Sequence, residues 1–387
     1  MRFSLILSLT GTLIAFFGLS FLFPIITGLI LGENVVDISL MFVIPMFFCL
    51  IFGYIFSSYF HIEEDIRNRE AFALVSIAWI IMVLVSAFPY YAAERGELMS
   101  YQVGIAGAIF ESMSGLTTTG ATILEITDEN QVINNEQYSE GYFDAPKSLL
   151  LWRSQTQWLG GMGIIVLATI IFSRLFGGGI QVLQAEMPGT GITRLKPQMA
   201  QTARLLWTLY FFLTLIEIVL LYFAGLPLYD SICNSFSTVS TGGFSPKIDS
   251  IGSYDSVYVD IIVTFFMLIS GVNFVILYYI FNHIKDNSKS IQSRIRNIYI
   301  LVRDNEELKV YLFLIVSCSS LILLNLVLEF NENRTFNSNF SHTIFQTVSL
   351  LTGTGFTTTN YALWPKMSIF VLLLIMFMGG CAGSTTG

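Results

Sequence analysis

The sequence predicts an all-α polytopic membrane protein, built as an N-terminal helix hairpin followed by three copies of helix, re-entrant pore loop and helix. Three observations predict it. Of the 387 residues, 54% are hydrophobic and only 12% are charged, about half the charged share of an ordinary soluble domain. Eight apolar segments are long enough to cross a hydrocarbon layer, which takes about 20 helical residues. Three polar loops of one composition lie between paired segments: SMSGLTTTGATIL (112–124), SFSTVSTGGFSP (235–246) and TVSLLTGTGFTTTNY (347–361).

The elements follow in order. Segment 3–31 comes after Met1-Arg2 with no small-residue cleavage site, so it reads as a retained helix rather than a removed leader. A tight connection at 32–37 leads to segment 39–60, which completes a hairpin over 1–68. The first repeat, 69–178, pairs segments 71–92 and 149–172; the second, 199–284, pairs 205–224 and 257–281; the third, 308–387, pairs 310–328 and 367–387. Inside each repeat a shorter apolar stretch precedes the loop, at 103–110, 231–236 and 343–348. These are too short to span and suit half-membrane pore helices, whose C-terminal dipole ends favour a cation.

Basic residues set the orientation. With the N-terminus in the cytoplasm, that side holds Arg2, Arg67, Arg69, Arg174, Arg194, Lys196, Arg204, Lys285, Lys289, Arg294, Arg296, Arg303 and Lys309, 13 of the 19 Lys and Arg. That asymmetry is the positive-inside pattern, and it puts all three loops outside. The outer segment 125–144 is acidic, which reads either as a mouth that concentrates cations or as a merely solvated loop. The basic stretch 285–309 suits the inner leaflet, a docked cytoplasmic subunit or plain positive-inside usage.

Each loop is a Ser/Thr run ending in glycine, at Gly120, Gly243 and Gly355, spaced by 123 and 112 residues. Glycine reaches torsions closed to other residues. A partly dehydrated monovalent cation needs several neutral oxygens at close range. The loops offer them from Thr117, Thr118 and Thr119, from Ser240, Thr241 and Gly242, and from Thr352, Gly353 and Thr354. One such cluster would pass for an ordinary turn; three in the same topological place do not.

Other features exclude more than they assert. Cys49, Cys233, Cys318 and Cys381 lie in or beside apolar segments without a CxxC pair, so neither a disulfide framework nor a metal site is indicated. The histidines are His61, His283 and His342, and no GxSG or HExxH pattern occurs, so an intramembrane serine or zinc protease is poorly supported and no enzyme is expected. Gly160, Gly161 and Gly163 suit close helix packing. Glu217 and Arg153, ionisable residues in apolar surroundings, suit internal pairing or function.

This layout resembles the Trk/Ktr/HKT superfamily of potassium and sodium translocating proteins, above all its bacterial Trk-type potassium uptake membrane subunits. WRSQTQWLGGMGIIVLA (152–168) is similar to the family's segment after the first filter loop, and FMGGCAGSTTG (377–387) to the glycine-rich stretch after the third. The resemblance implies a potassium-channel-like, pseudo-fourfold pore made of four repeats. Its fourth repeat has no counterpart here, so a truncated form is expected. It implies that Gly120, Gly243 and Gly355 are filter glycines selecting potassium, with the Ser/Thr oxygens above as the binding set. Potassium is then the substrate and only metal, with no cofactor.

Gly379, Gly380, Gly383, Ser384, Thr385, Thr386 and Gly387 read on their own as a small-residue packing face or a broken helix. The resemblance implies a movable intramembrane gate there. It further implies potassium uptake across a bacterial inner membrane by a homodimer with a cytoplasmic nucleotide-binding regulatory subunit (TrkA-like), and no nucleic-acid partner. The alternative class is a sodium- or proton-coupled symporter, since internal repeats also occur in secondary transporters.

Overall fold

The computed structural model describes residues 3–59, 68–99, 101–124, 141–175, 195–285, 291–329 and 336–386. The acidic stretch 125–140, Gly387, Arg2, Arg67, Arg194 and Lys289 lie outside them. The regular elements among the described residues are helices, apart from one isolated bridge between Tyr142 and Lys247. They form two compact units, one of 1–116, 121–156 and 246–248, the other of 117–120, 157–245 and 249–387.

In the first unit, α1 (Phe3–Leu19) and α2 (Leu22–Ile30) make one apolar passage of 28 residues. The ladder breaks between them, and Gln155 Nε2 donates to the Ser20 carbonyl at 2.8 Å. Asn34 caps the short α3 (Val35–Ile38), and a π-helical turn, Ser39–Val43, leads into α4 (Ile44–Tyr59). α1 and α4 touch through small residues: a Cβ on Gly53 would lie 2.7 Å from the Gly11 carbonyl oxygen, so the helices approach only as far as missing side chains permit.

α5 (Asn68–Arg95) packs on α1 and on α6 (Gly104–Leu116). The start of α7 (Lys147–Leu175) lies among these helices. Trp152 stacks on Phe21 at 4.3 Å and donates to the Ser86 carbonyl at 3.2 Å. Glu33 accepts from the Ser148 amide at 2.9 Å, filling the orphan-donor position of a helix start with a carboxylate.

The second unit holds α8 (Leu195–Phe223), α9 (Leu228–Val239), α10 (Val257–Ser270), α11 (Phe274–Lys285), α12 (Ile291–Asp304), α13 (Glu306–Glu329), α14 (Phe336–Leu351) and α15 (Lys366–Met376). Its core runs through Val259, Val263 and Met267 of α10, Tyr311, Ile315 and Ile322 of α13, and Phe345, Val348 and Leu351 of α14.

Among the described residues five helices are long and apolar enough to cross a membrane, and a bent pair makes a sixth. That pair corrects the expectation of one straight span at 257–281: α10 and α11 are bent by 105°. Gly271 and Asn273 sit at the break, and Asn273 Oδ1 accepts from the Val275 amide at 2.8 Å, starting a new helix. The last apolar segment, expected at 367–387, is helical over Lys366–Met376, and residues 377–386 after it are non-helical. Most other spans, α8 above all, are longer than hydropathy marks, because polar ends extend beyond the apolar run. The short helices α6, α9 and α14 reach right up to their loops, past the apolar stretches that announced them.

Candidate functional site

Each of α6, α9 and α14 runs into one polar loop. The three loops share a backbone conformation at fixed register. In the first, Thr118 has φ +54° and Gly120 +76°; in the second, Thr241 has +53° and Gly243 +80°; in the third, Gly353 has +67° and Gly355 +81°. The residue between each pair is not left-handed. Such alternation lets successive carbonyls face one way, instead of alternating as in a strand. A β-branched residue is an outlier in this region, at a cost of about 1–3 kcal/mol. Thr118 and Thr241 accept that strain; the third loop avoids it with Gly353.

The loops meet head to tail within the second unit. A Cβ on Gly120 would collide with the Gly242 carbonyl oxygen, and one on Gly243 with the Thr354 carbonyl oxygen. Gly242 and Thr354 occupy the same register position, so one contact is used twice. A repeated heterologous contact of this kind is the geometry that generates rings. At Gly355 the same Cβ would meet nothing within 4 Å. Hydroxyls pair inside the loops, Thr117 with Thr119 at 2.7 Å and Thr352 with Thr354 at 2.8 Å. The structure thus brings all twelve sequence-nominated loop residues into three equivalent segments.

Side chains behind the loops hold these shapes, and the sequence reading passed them over. Gln157 of α7 donates to the Gly242 carbonyl at 2.7 Å and accepts from the Phe244 amide at 3.0 Å. Glu111, Asn234 and Gln346 each stand nine residues before a loop glycine, and Ser114, Ser237 and Ser349 six before. Glu111 accepts from Thr122 Oγ1 at 3.0 Å and from the Ile123 amide at 3.1 Å. Ser114 donates to the Ala121 carbonyl at 2.5 Å, and Ser349 to that of Phe356 at 2.8 Å. The signal was available: the serine column lies inside the three loops, and extending each by one residue upstream exposes the other.

In the first unit Arg153 Nε lies 2.6 Å from Glu111 Oε1, both side chains almost wholly buried, and its guanidinium sits over the Phe143 ring at 5.0 Å. Arg153 is therefore internally paired. Glu217 is fully buried in α8 with Thr238 of α9 beside it. Asn234 donates to Tyr254 Oη at 2.9 Å. Burial, and then the Asp230 carboxylate, push the Tyr254 phenol far above its ordinary pKa, so it stays a neutral anchor. The four cysteines are free, and among the described residues no His/Cys/Asp/Glu cluster could hold a metal ion.

The glycine-rich stretch after α15 packs on the α10–α11 break. The Cys381 amide donates to the Gly271 carbonyl at 2.9 Å, the Phe274 amide to that of Gly383 at 3.1 Å, and Thr385 Oγ1 to that of Ser270 at 3.1 Å. Gly379 and Gly383 have φ near +75°, which explains why the helix cannot continue. Gly380 sits against Gly271, and Ser384 and Thr385 are buried.

Comparison with known proteins fits this geometry. Residues 38–387 match the protein family described as TrkH, cation transport protein. The Trk system potassium uptake protein TrkH of Salmonella typhimurium is 36% identical over 327 residues, covering 84% of this chain and 60% of the relative. The TrkH of Vibrio parahaemolyticus is 33% identical over 390 residues, covering 100% of this chain and 73% of the relative. TrkG of Escherichia coli is 33% identical, covering 97% and 70%. The crystal structure of the potassium transporter TrkH from Vibrio parahaemolyticus superposes with a TM-score of 0.80 at 31% identity, over 100% of this chain and 72% of that one. The chain thus spans 60% of the Salmonella protein's length.

Proposed function

We propose, from the premise that this chain belongs to the TrkH family of cation transport proteins, that it forms part of a potassium uptake pathway across a bacterial inner membrane. The observation that carries the reading is the recurrence of one left-handed pattern at one register in three adjoining loops. A close array of neutral oxygens replaces the hydration shell of a monovalent cation. Thr117–Gly120, Ser240–Gly243 and Thr352–Gly355 supply that array, as a selectivity filter. The helix C-termini of α6, α9 and α14 add their negative dipole ends. The stretch from Gly379 to Gly387 acts as a gate: its described residues, 379–386, are non-helical, and bonds to a second broken span support them. The domain plan is a hairpin and three repeats of a four-repeat pore. The working assembly is a homodimer with a cytoplasmic nucleotide-binding subunit.

The test uses the full-length protein in cells without their own potassium uptake systems and in planar bilayers. Growth at low potassium and unitary currents favouring potassium over sodium are expected. Saturable, proton-dependent flux without unitary currents would replace the pore by a coupled transporter.

Orientation has its own test. Single cysteines at Arg194, Arg294 and Glu136, in a background without the four native cysteines, are treated on intact cells with an impermeant thiol reagent. Only position 136 should label. Labelling at 194 or 294 would invert the topology and place the loops inside.

A further inference from the structure

The break between α10 and α11 and the break after α15 lie more than a hundred residues apart, and each would leave backbone groups unpaired inside a membrane, where that is costly. They pair with each other through Gly271–Cys381, Phe274–Gly383 and Ser270–Thr385. Two further bonds come from side chains, and both fall on one residue. Asn273 Nδ2 donates to the Ala382 carbonyl at 2.6 Å, and Glu307 Oε1 accepts from the Ala382 amide at 2.5 Å. The Ala382 backbone is therefore gripped from both sides. The grip joins the glycine-rich stretch to the start of α11 and to the first turn of α13.

We propose that Asn273 and Glu307 are positioning residues that clamp this stretch closed, so that movement of the cytoplasmic ends of α11, α12 and α13 releases it. The proposal rests on the reading of the stretch as a gate. Three features support it. Glu307 is exposed and lies two residues after Asn305, whose Oδ1 accepts from the Leu308 amide at 2.8 Å, so the carboxylate rides on a capped helix end. A carboxylate–amide bond is of the stronger, charge-assisted kind. And α12, amphipathic and carrying Arg296 and Arg303, joins α11 to α13, so a force on this helix reaches both halves of the grip.

Asn273 has two separable roles, which gives the test. N273D keeps an oxygen that caps α11 and replaces the donor to the Ala382 carbonyl with a carboxylate oxygen that repels it. E307Q keeps the acceptor oxygen and E307A removes it. In full-length protein reconstituted in liposomes, N273D and E307A should each raise resting rubidium efflux about three- to tenfold, as the loss of one hydrogen bond allows. Unitary conductance and potassium-over-sodium preference should stay unchanged, and E307Q, which keeps the acceptor without its charge, should leak less than E307A. A disulfide between E307C and A382C, in a background without the native cysteines, should hold efflux at its lowest until reduced, whatever the yield of the other variants. Efflux unchanged in both N273D and E307A, equal leak in E307Q and E307A, or free conduction by the cross-linked protein would each overturn the clamp. Deleting residues 383–386 separates the two readings. If that deletion raises efflux while the point variants do not, the gate stands and the clamp falls; if it also changes nothing, both fall.

Discussion

Replacing Arg153 with alanine is expected to abolish rubidium uptake by the full-length protein and to destabilise the first unit by about 3–5 kcal/mol, the cost of leaving a buried charge without its partner. Glu111 is fully buried. Its carboxylate also holds Thr122 and Ile123, the residues just past the first loop. Without the guanidinium, that carboxylate is left buried without its ion-pair partner, which disturbs the backbone it positions. Thermal unfolding of detergent-solubilised protein and rubidium uptake should both report the loss. The pair variant E111Q/R153M should recover part of the stability, because it removes both charges together. Normal unfolding and normal uptake in R153A would show that the pair contributes little.

Replacing Gly243 with serine is expected to lower the preference for potassium over sodium at least tenfold, a change of about 1.4 kcal/mol in relative affinity. Two effects act together. Serine is strained at φ +80°, and its Cβ would collide with the Thr354 carbonyl oxygen, so one loop must shift against the next. Reversal potentials in mixed potassium and sodium measure the change in full-length protein. Gly32 is the control. Its φ is +75° with nothing near the added Cβ, so G32S carries strain alone and should leave selectivity intact. Unchanged selectivity in G243S would remove the second loop from the ion pathway.

Much of the architecture was legible in the residues. The apolar segments marked most of the spans, because a hydrocarbon solvent demands long apolar runs. The three loops were legible because each repeats one composition between paired segments. The break at Gly271–Asn273 was not. The segment 257–281 is apolar throughout, and hydropathy measures partition into lipid, not helix continuity. Gln157, Asn273 and Glu307 were also silent: each acts on backbone far away in sequence, and no local pattern announces a hydrogen bond across 75 or more residues.

A helical membrane protein of this family's layout, with glycines at three positions where a chain must turn left-handed, follows from the residues alone. Those properties follow from local chemistry, from side-chain transfer to lipid and from backbone torsion, which each residue carries with it. Tertiary structure alone decided that Gly120 faces the Gly242 carbonyl and Gly243 that of Thr354, that Arg153 neutralises Glu111, and that two broken helices complete each other's hydrogen bonds. Unpaired polar groups cannot stay exposed to lipid, so their partners are fixed only when the chain closes on itself.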